Sequence, residues 1–403
     1  MSVDQLAKQA EMTKMNKDKE KRPGYQKTKL GWLPVEWEVS SVGKAFKICN
    51  SGRKPLSAHV RQKMQGIYPY YGPTKIQDYI NEYQYEGEYA LIAEDGDHFL
   101  KYADKRMTQL ATGQFNVNNH AHVIEGKSKV STTKWFYWFF YHRNIFSHLT
   151  RQGAGRYKLN KAALGKLPVA LPPLPEQQKI ATILSTWDRA IALTRQLLQE
   201  KEAQKKGLMQ RLLTGKVRVK GFEGEWDVLE LGQLFSLSSG KTKPNNTRSS
   251  STKNINKPVY GGNGIMGYTD KSLLSGDKIL IGRVGEYCGC VHVANGDYWV
   301  TDNCLFTKEF HHSTSINFLA YFLDFKQLKR FRNKGGQPLI SQKSILKLKF
   351  PIPQIKEQTA IAAILTQADE EIRLLREKER ALQAQKKGLM QRLLTGKVRV
   401  KVD

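Results

Sequence analysis

The 403-residue chain lacks any long apolar run. Its richest stretch, residues 135–141, is short and soon followed by charge, far below the roughly 20 residues of a membrane-spanning helix. It is expected to be a core element, with no membrane partner. Residues 1–22 are charged and lack the apolar centre of a secretory signal, which points to the cytoplasm. Cysteine is also scarce, with four residues in all, so a disulfide framework is excluded. Cys288 and Cys290 stand one residue apart beside His292, whereas zinc sites space their cysteines by about two to four residues and need two such pairs. No metal site is expected, and the thiols read as reduced structural groups. Acidic residues are few against basic ones, 37 to 65, leaving a net charge of +28. Such an excess favours a polyanionic partner, although a merely basic solvated surface would carry it too. It is spread along the chain: residues 25–170 hold 21 basic and 11 acidic side chains, and residues 221–351 hold 17 and 11.

Catalytic constellations are missing as well. Gly240-Lys241-Thr242 resembles the end of a phosphate-binding loop, but the glycine required five residues earlier is Phe235. No Asn-Pro-Pro-Phe run of an amino-methyltransferase occurs, and Pro172-Pro173 belongs to the start of a helix. Glu94, Asp95 and Asp97 could suggest a metal-dependent nuclease, but the matching stretch in the second half begins Arg283-Val-Gly-Glu286, so a loop is the simpler reading. His120 and His122 have no recognisable nucleophile beside them.

What the chain does contain is itself, twice. Residues 203–220 recur unchanged at 384–401, an offset of 181, and the match extends back through Glu176, Gln177, Ile180 and Leu184 to Glu357, Gln358, Ile361 and Leu365. A weaker repeat at an offset of 189 pairs Trp37 with Trp226, Tyr71-Gly72 with Tyr260-Gly261, and Leu91-Ile92 with Leu280-Ile281. The connectors carry helical periodicity: Ile180, Leu184, Ile191, Leu198, Leu208 and Leu212 form one seam, and Ile361, Leu365, Ile372, Leu382, Leu389 and Leu393 form its copy. Prolines precede each helix and Thr-Gly follows it. A helix of roughly 55–60 Å with one apolar stripe needs a partner helix, and the other copy is the obvious one. Chain direction then makes the pair antiparallel, with the C-terminus returning near the N-terminus. Two separate helical hairpins or a dimerisation coil remain the alternative, because Lys201, Lys205, Glu379 and Lys386 interrupt the seam. Strand-like runs (89–93, Lys278–Gly282, 298–301) and aromatic helical runs (134–146, 316–331) make each globular half α+β.

This order resembles the specificity subunits of type I restriction–modification systems. The resemblance rests on the Pro-rich start, the Glu-Gln-x-x-Ile helix opening and the doubled Gly-Leu-Met-Gln-Arg-Leu-Leu-Thr-Gly-Lys ending at 207–216 and 388–397. It implies a pseudo-twofold internal repeat: a charged arm (1–24), a first target-recognition domain (25–170), a helical spacer (171–220), a second target-recognition domain (221–351) and a second spacer (352–403). It also implies a non-catalytic chain that binds double-stranded DNA, two methyltransferase subunits and motor–nuclease subunits. S-adenosylmethionine, ATP and magnesium are then expected on those partners, with no cofactor on this chain. Candidate DNA contacts are polar, basic and aromatic residues in Gly-rich loops. In the first domain they are Arg53, Lys54, Tyr70, Tyr71, Lys75, Arg151, Gln152 and Arg156. The second offers Lys241, Lys243, Tyr260, Asn263, Arg283, Lys334 and Gln337. A methyltransferase or nuclease with an unrecognised motif, or a coiled-coil scaffold with a basic surface, are the rival readings.

Overall fold

A computed structural model describes residues 22–152, 156–333 and 336–402. Residues 1–21 of the expected N-terminal arm, and Lys334, lie outside the described residues. The chain forms two compact units: residues 1–193 with 380–403, and residues 194–379. The sequence division set residues 171–220 and 352–403 apart as helical spacers, and the boundary between the two units runs through these connectors. Each unit incorporates part of both, because the helix faces complete the domain cores.

In the first unit six strands form one sheet: β1 (Phe46–Ile48), β2 (Gln65–Tyr71), β3 (Ile76–Ile80), β4 (Tyr85–Ala93), β5 (Thr108–Val117) and β6 (Ala121–Gly126), in the order β1-β6-β4-β5-β2-β3. All neighbours are antiparallel except β2 and β5. Against β4, β5 and β6 packs helix α1 (Thr133–Phe139), whose Trp135, Phe136, Trp138 and Phe139 are all buried. Thr132 caps it by accepting from Trp135 N at 3.1 Å. The aromatic run extends to Phe146, yet the helix stops at Phe139. Tertiary partners take over there: Tyr141 O accepts from Met107 N, and His142 Nδ1 donates to Tyr102 O.

The second unit repeats this plan with a broken sheet. Strands β7 (Phe235–Ser239), β8 (Lys257–Gly261), β9 (Gly264–Thr269), β10 (Leu274–Ser275), β11 (Lys278–Gly282), β12 (Val291–Ala294), β13 (Asp297–Val300) and β14 (Cys304–Phe310) form two four-stranded sheets, β7-β14-β11-β12 and β9-β8-β13-β10. The break falls at Gly276, between β10 and β11, where φ is +78° and the carbonyl accepts from Tyr298 Oη. Helix α3 (Ile316–Phe325), capped by Ser315, packs on β11 and β12. The predicted helix to residue 331 is interrupted by Gln327 in the left-handed region, and a 3₁₀ turn follows over Leu328–Phe331.

The connectors are helices α2 (Leu174–Leu212) and α4 (Ile355–Leu393), in place of parts of which no hairpin turn intervenes. Each is followed, after a short turn, by a glycine with positive φ, Gly215 (+69°) and Gly396 (+67°), a left-handed stop signal. Within the first unit the early turns of α2 meet the late turns of α4: Ile180 and Leu184 share a core with Met390, Leu393 and Leu394, and Lys386 Nζ lies 2.5 Å from Asp188 Oδ1. Within the second, Met209, Leu212 and Leu213 pack with Ile361 and Leu365, and Lys205 Nζ lies 2.6 Å from Asp369 Oδ1. In each unit the two helices thus run antiparallel. Ile191 and Ile372 are buried, while Leu198, Leu208, Leu382 and Leu389 are half-buried. The polar breaks in the seam have partners: Lys201 pairs with Glu371 (2.7 Å) and Glu379 with Arg195 (2.6 Å). Among the described residues no helix is long and apolar enough to cross a membrane.

Candidate nucleic-acid interface

In the second unit Lys241, Lys243, Asn263 and Arg283 stand on loops that follow strands, Gln337 on the loop after the last 3₁₀ turn, and Tyr260 within β8. Lys241 follows β7, and its backbone N–H donates to Val300 O. Arg283 follows β11; its Nη1 donates to Ser239 Oγ at 3.1 Å, and its own N–H donates to Asn303 O. Gly262 lies between these loops, where a Cβ would come into ordinary contact with Asn303 O, Gly282 Cα and Tyr287 Cβ. Gly285 N donates to Pro338 O and Ile340 N to Arg283 O, so the loop bearing Gln337 is tied to the loop bearing Arg283. Lys241, Lys243, Asn263 and Gln337 are exposed and Arg283 is half-buried, leaving donors and acceptors free to meet a ligand. Tyr260 packs edge-on against Tyr298 and is half-buried, and that burial raises its phenol pKa. A cleft of about 910 Å³ adjoins this loop, lined by Lys329, Arg330 and Arg332. The sequence reading passed over these three bases. The signal is present, a basic-aromatic run Lys329-Arg-Phe-Arg332, but all of it except Arg332 falls inside the helical run predicted over 316–331.

In the first unit three of the candidates have partners within the chain. Tyr70 is fully buried; its hydroxyl donates to Lys54 O at 2.8 Å and accepts from Leu56 N at 3.0 Å, so it is a core residue that no DNA edge can reach. Arg53 is turned inward, with its Nη1 2.6 Å from Glu94 Oε2 and 3.0 Å from Asn119 O. Lys54 is paired with Glu82. Each was chosen as a polar or aromatic loop residue, a criterion that cannot see an internal partner. Tyr71 is half-buried against Phe115, while Lys75 and Arg151 are exposed. The backbones of Gln152 and Arg156 pair across a short hairpin, and residues 153–155 between them lie outside the described residues.

The acidic cluster is structural in the same way. Glu94 holds Arg53 and lies 3.6 Å from Lys158 Nζ. His122 is buried between fixed partners: Nε2 donates to Leu159 O (2.6 Å), which leaves Nδ1 to accept from Asn50 Nδ2 (2.9 Å). Burial lowers its pKa, favouring that neutral form. Both ring nitrogens are occupied. Among the described residues no group of three or more His, Cys, Asp or Glu side chains could hold a metal ion. Cys288 and Cys304 are buried, which pushes both thiols up, Cys304 to about 12.

The two loop clusters occupy matching places. Leu159 N donates to Glu94 O as Ile340 N does to Arg283 O, and Gly96 N donates to Tyr157 O as Gly285 N does to Pro338 O. The backbone is repeated while the side chain changes sign, Glu94 in one unit and Arg283 in the other.

Comparison with known proteins agrees with this arrangement. A family model described as the type I restriction modification DNA specificity domain matches residues 34–203 and again 223–384. The type I restriction enzyme MjaVIII specificity subunit of Methanocaldococcus jannaschii is 25% identical over 428 residues, covering 92% of this chain and 94% of that protein. The EcoprrI specificity subunit of Escherichia coli is 29% identical over 140 residues, 34% of this chain and 35% of that one. Among solved structures, the S subunit of a type I restriction–modification system from M. genitalium shares the fold at a TM-score of 0.67 and 15% identity, covering 89% of this chain and 96% of that one. With both of its halves matched in turn, the chain belongs to the type I restriction–modification DNA specificity family.

Proposed function

We propose that this chain reads a bipartite, asymmetric DNA site for a type I restriction–modification complex, one half-site per unit. The observation that carries this is a single loop frame built twice with unlike surroundings: Glu94 stays paired within the first unit, while Arg283 at the matched position stands half-buried near exposed Lys241, Asn263 and Gln337. Identical readers would demand a symmetric site; unlike readers demand an asymmetric one. Exposed lysines such as Lys75, Lys241 and Lys243 supply phosphate contacts, which give affinity and salt dependence. Arg283, Asn263 and Gln337 have the donor and acceptor chemistry to address base edges, which gives sequence. The shared helices set the spacer between half-sites and dock two methyltransferase subunits, with motor–nuclease subunits joining that core. The chain itself performs no chemistry; S-adenosylmethionine, ATP and magnesium act on the partner subunits. This assignment places its work in the cytoplasm, where the DNA is.

The test is a mobility-shift titration of the chain with its methyltransferase subunits, alongside genome-wide mapping of methylated adenines in a host carrying the complete system. The expected result is salt-sensitive, sequence-selective binding and one methylated motif with two unlike halves around a fixed gap. Methylation or cleavage by the purified chain alone would overturn the non-catalytic reading.

A further inference from the structure

Among the described residues of the first unit, one cation in a pocket has no anion beside it. Arg143 follows helix α1 and lays its guanidinium over the Phe139 ring, 3.7 Å from the centroid. It lines a pocket of about 380 Å³ whose other walls include Tyr102, Met390 and Leu394, with Lys387 at one side and no acidic residue in the lining. Among the described residues no carboxylate pairs with Arg143, and burial alone lowers its pKa, to about 10. A guanidinium held in apolar surroundings is costly unless an anion reaches it, and a single aromatic face offsets only part of that cost.

The second unit presents the same chemistry at matching positions. Lys326 Nζ lies 5.0 Å from the centroid of Phe322, four residues before it, as Phe139 is four residues before Arg143. The repeated connector supplies Lys206, Met209 and Leu213 where the first unit has Lys387, Met390 and Leu394. Met209 and Leu213 are buried beside Phe322 in one core, and among the described residues Lys326 has no acidic partner either. Packing explains why the connector leucines and methionines repeat. It does not explain why both domains, which differ elsewhere, keep a cation on an aromatic ring four residues earlier with no counterion.

We propose that the Arg143 pocket receives an acidic side chain carried on an apolar segment of a methyltransferase subunit, and that Lys326 is the matching contact point in the second unit. The inference rests on the reading of the chain as a specificity subunit and adds the chemistry of its docking site. Charge complementarity selects the occupant: the Arg143 pocket is largely apolar, with His142, Gln391 and Thr395 at its edges, two cations and no acid, so it suits a carboxylate on a hydrophobic stem and repels a basic segment. The duplication sets the number at two.

The experiment uses the full-length chain, the methyltransferase subunit of the same host, and native mass spectrometry with sedimentation. Wild type is expected to bind two methyltransferase subunits. Arg143→Gln and Lys326→Gln should each weaken one of the two binding steps, roughly tenfold to a hundredfold for a lost charge-assisted bond, and the double variant should weaken both. Arg143→Lys should restore most of the first. Thermal unfolding of each variant alone separates docking from folding, since removing an uncompensated cation leaves the fold unharmed. Two unweakened binding steps in the double variant would overturn the docking contacts while leaving the specificity reading intact. Failure of wild type to bind any methyltransferase subunit would overturn the reading and the docking contacts together. Loss confined to DNA affinity, or to self-association of the chain, would show that a phosphate or a second copy occupies the pocket and would equally refute the proposal.

Discussion

Glu176 is fully buried, and yet a guanidinium and an indole converge on it. Trp37 Nε1 donates to Oε2 at 3.0 Å, and Arg399 reaches the two oxygens at 2.7 and 2.8 Å. The second unit builds the same clamp from Glu357, Trp226 and Arg218. The repeat had matched Trp37 with Trp226 and Glu176 with Glu357, so these residues were legible as a recurring set. Their mutual contact was not, because 139 positions separate tryptophan from glutamate and no local pattern records so distant a bond. Arg399→Ala should strand the Glu176 carboxylate and cost about 1–3 kcal/mol in denaturant unfolding, the lower part of the range for a broken buried pair because Arg399 is itself partly exposed. Arg399→Lys should recover part of that loss. Histidine sets a second expectation. His98, His122 and His292 all have pKa values lowered from 6.5, in each case chiefly by burial. The unfolded chain therefore takes up protons that the folded chain refuses. Their contribution is complete above pH 6.5 and declines as pH falls through the lowered folded values. Melting temperature should drop between pH 7.5 and 5.5, and His122→Gln should flatten part of that slope. A melting temperature independent of pH across this window would show that these histidines protonate without strain.

Helices and strands differed in how much of them the sequence revealed. The two connectors were readable because a seam of apolar residues at steps of three and four is a local signal, and because an 18-residue identity has no other plain explanation. Sheet order was not readable, since strands neighbour one another through contacts between distant segments; nothing in residues 274–282 announces that Gly276 divides the sheet of the second unit. The polar positions in the seam were the instructive error. Lys386 and Lys205 looked like weak points, but each sits against an aromatic ring and an aspartate: Lys386 with Trp138, Tyr141 and Asp188, Lys205 with Tyr321 and Asp369. A polar pair inside an apolar seam fixes register, because a slip of one turn buries both charges unpaired. Asp188→Lys should accordingly place two cations against one aromatic cluster and lower the unfolding free energy by about 1–3 kcal/mol. Pairing it with Lys386→Asp should return most of the loss. A double-mutant cycle with no coupling between the two sites would show that leucine packing alone sets the register.

At the scale of the whole molecule, a net charge of +28 and two unlike readers make separable demands on DNA. Charge acts on every sequence equally. Each phosphate neutralised steepens the fall of log affinity with log salt by about 0.9, so Lys243→Ala should weaken binding to all duplexes alike and reduce that slope by about one. Base readout acts on one position in one half-site. Arg283 is held by Ser239 at its guanidinium and by Asn303 and Ile340 at its backbone, which fixes its direction as a specific contact requires. Arg283→Ala should therefore relax the methylated motif at one position within a single half-site, at about 1–3 kcal/mol of lost discrimination, while the other half and the gap stay unchanged. Adenine-methylation mapping in a host expressing the variant reads this directly. A motif loosened in both halves would mean that the two units do not read independently, and a motif unchanged in either would move base recognition away from Arg283 to the exposed Asn263 and Gln337 on the neighbouring loops.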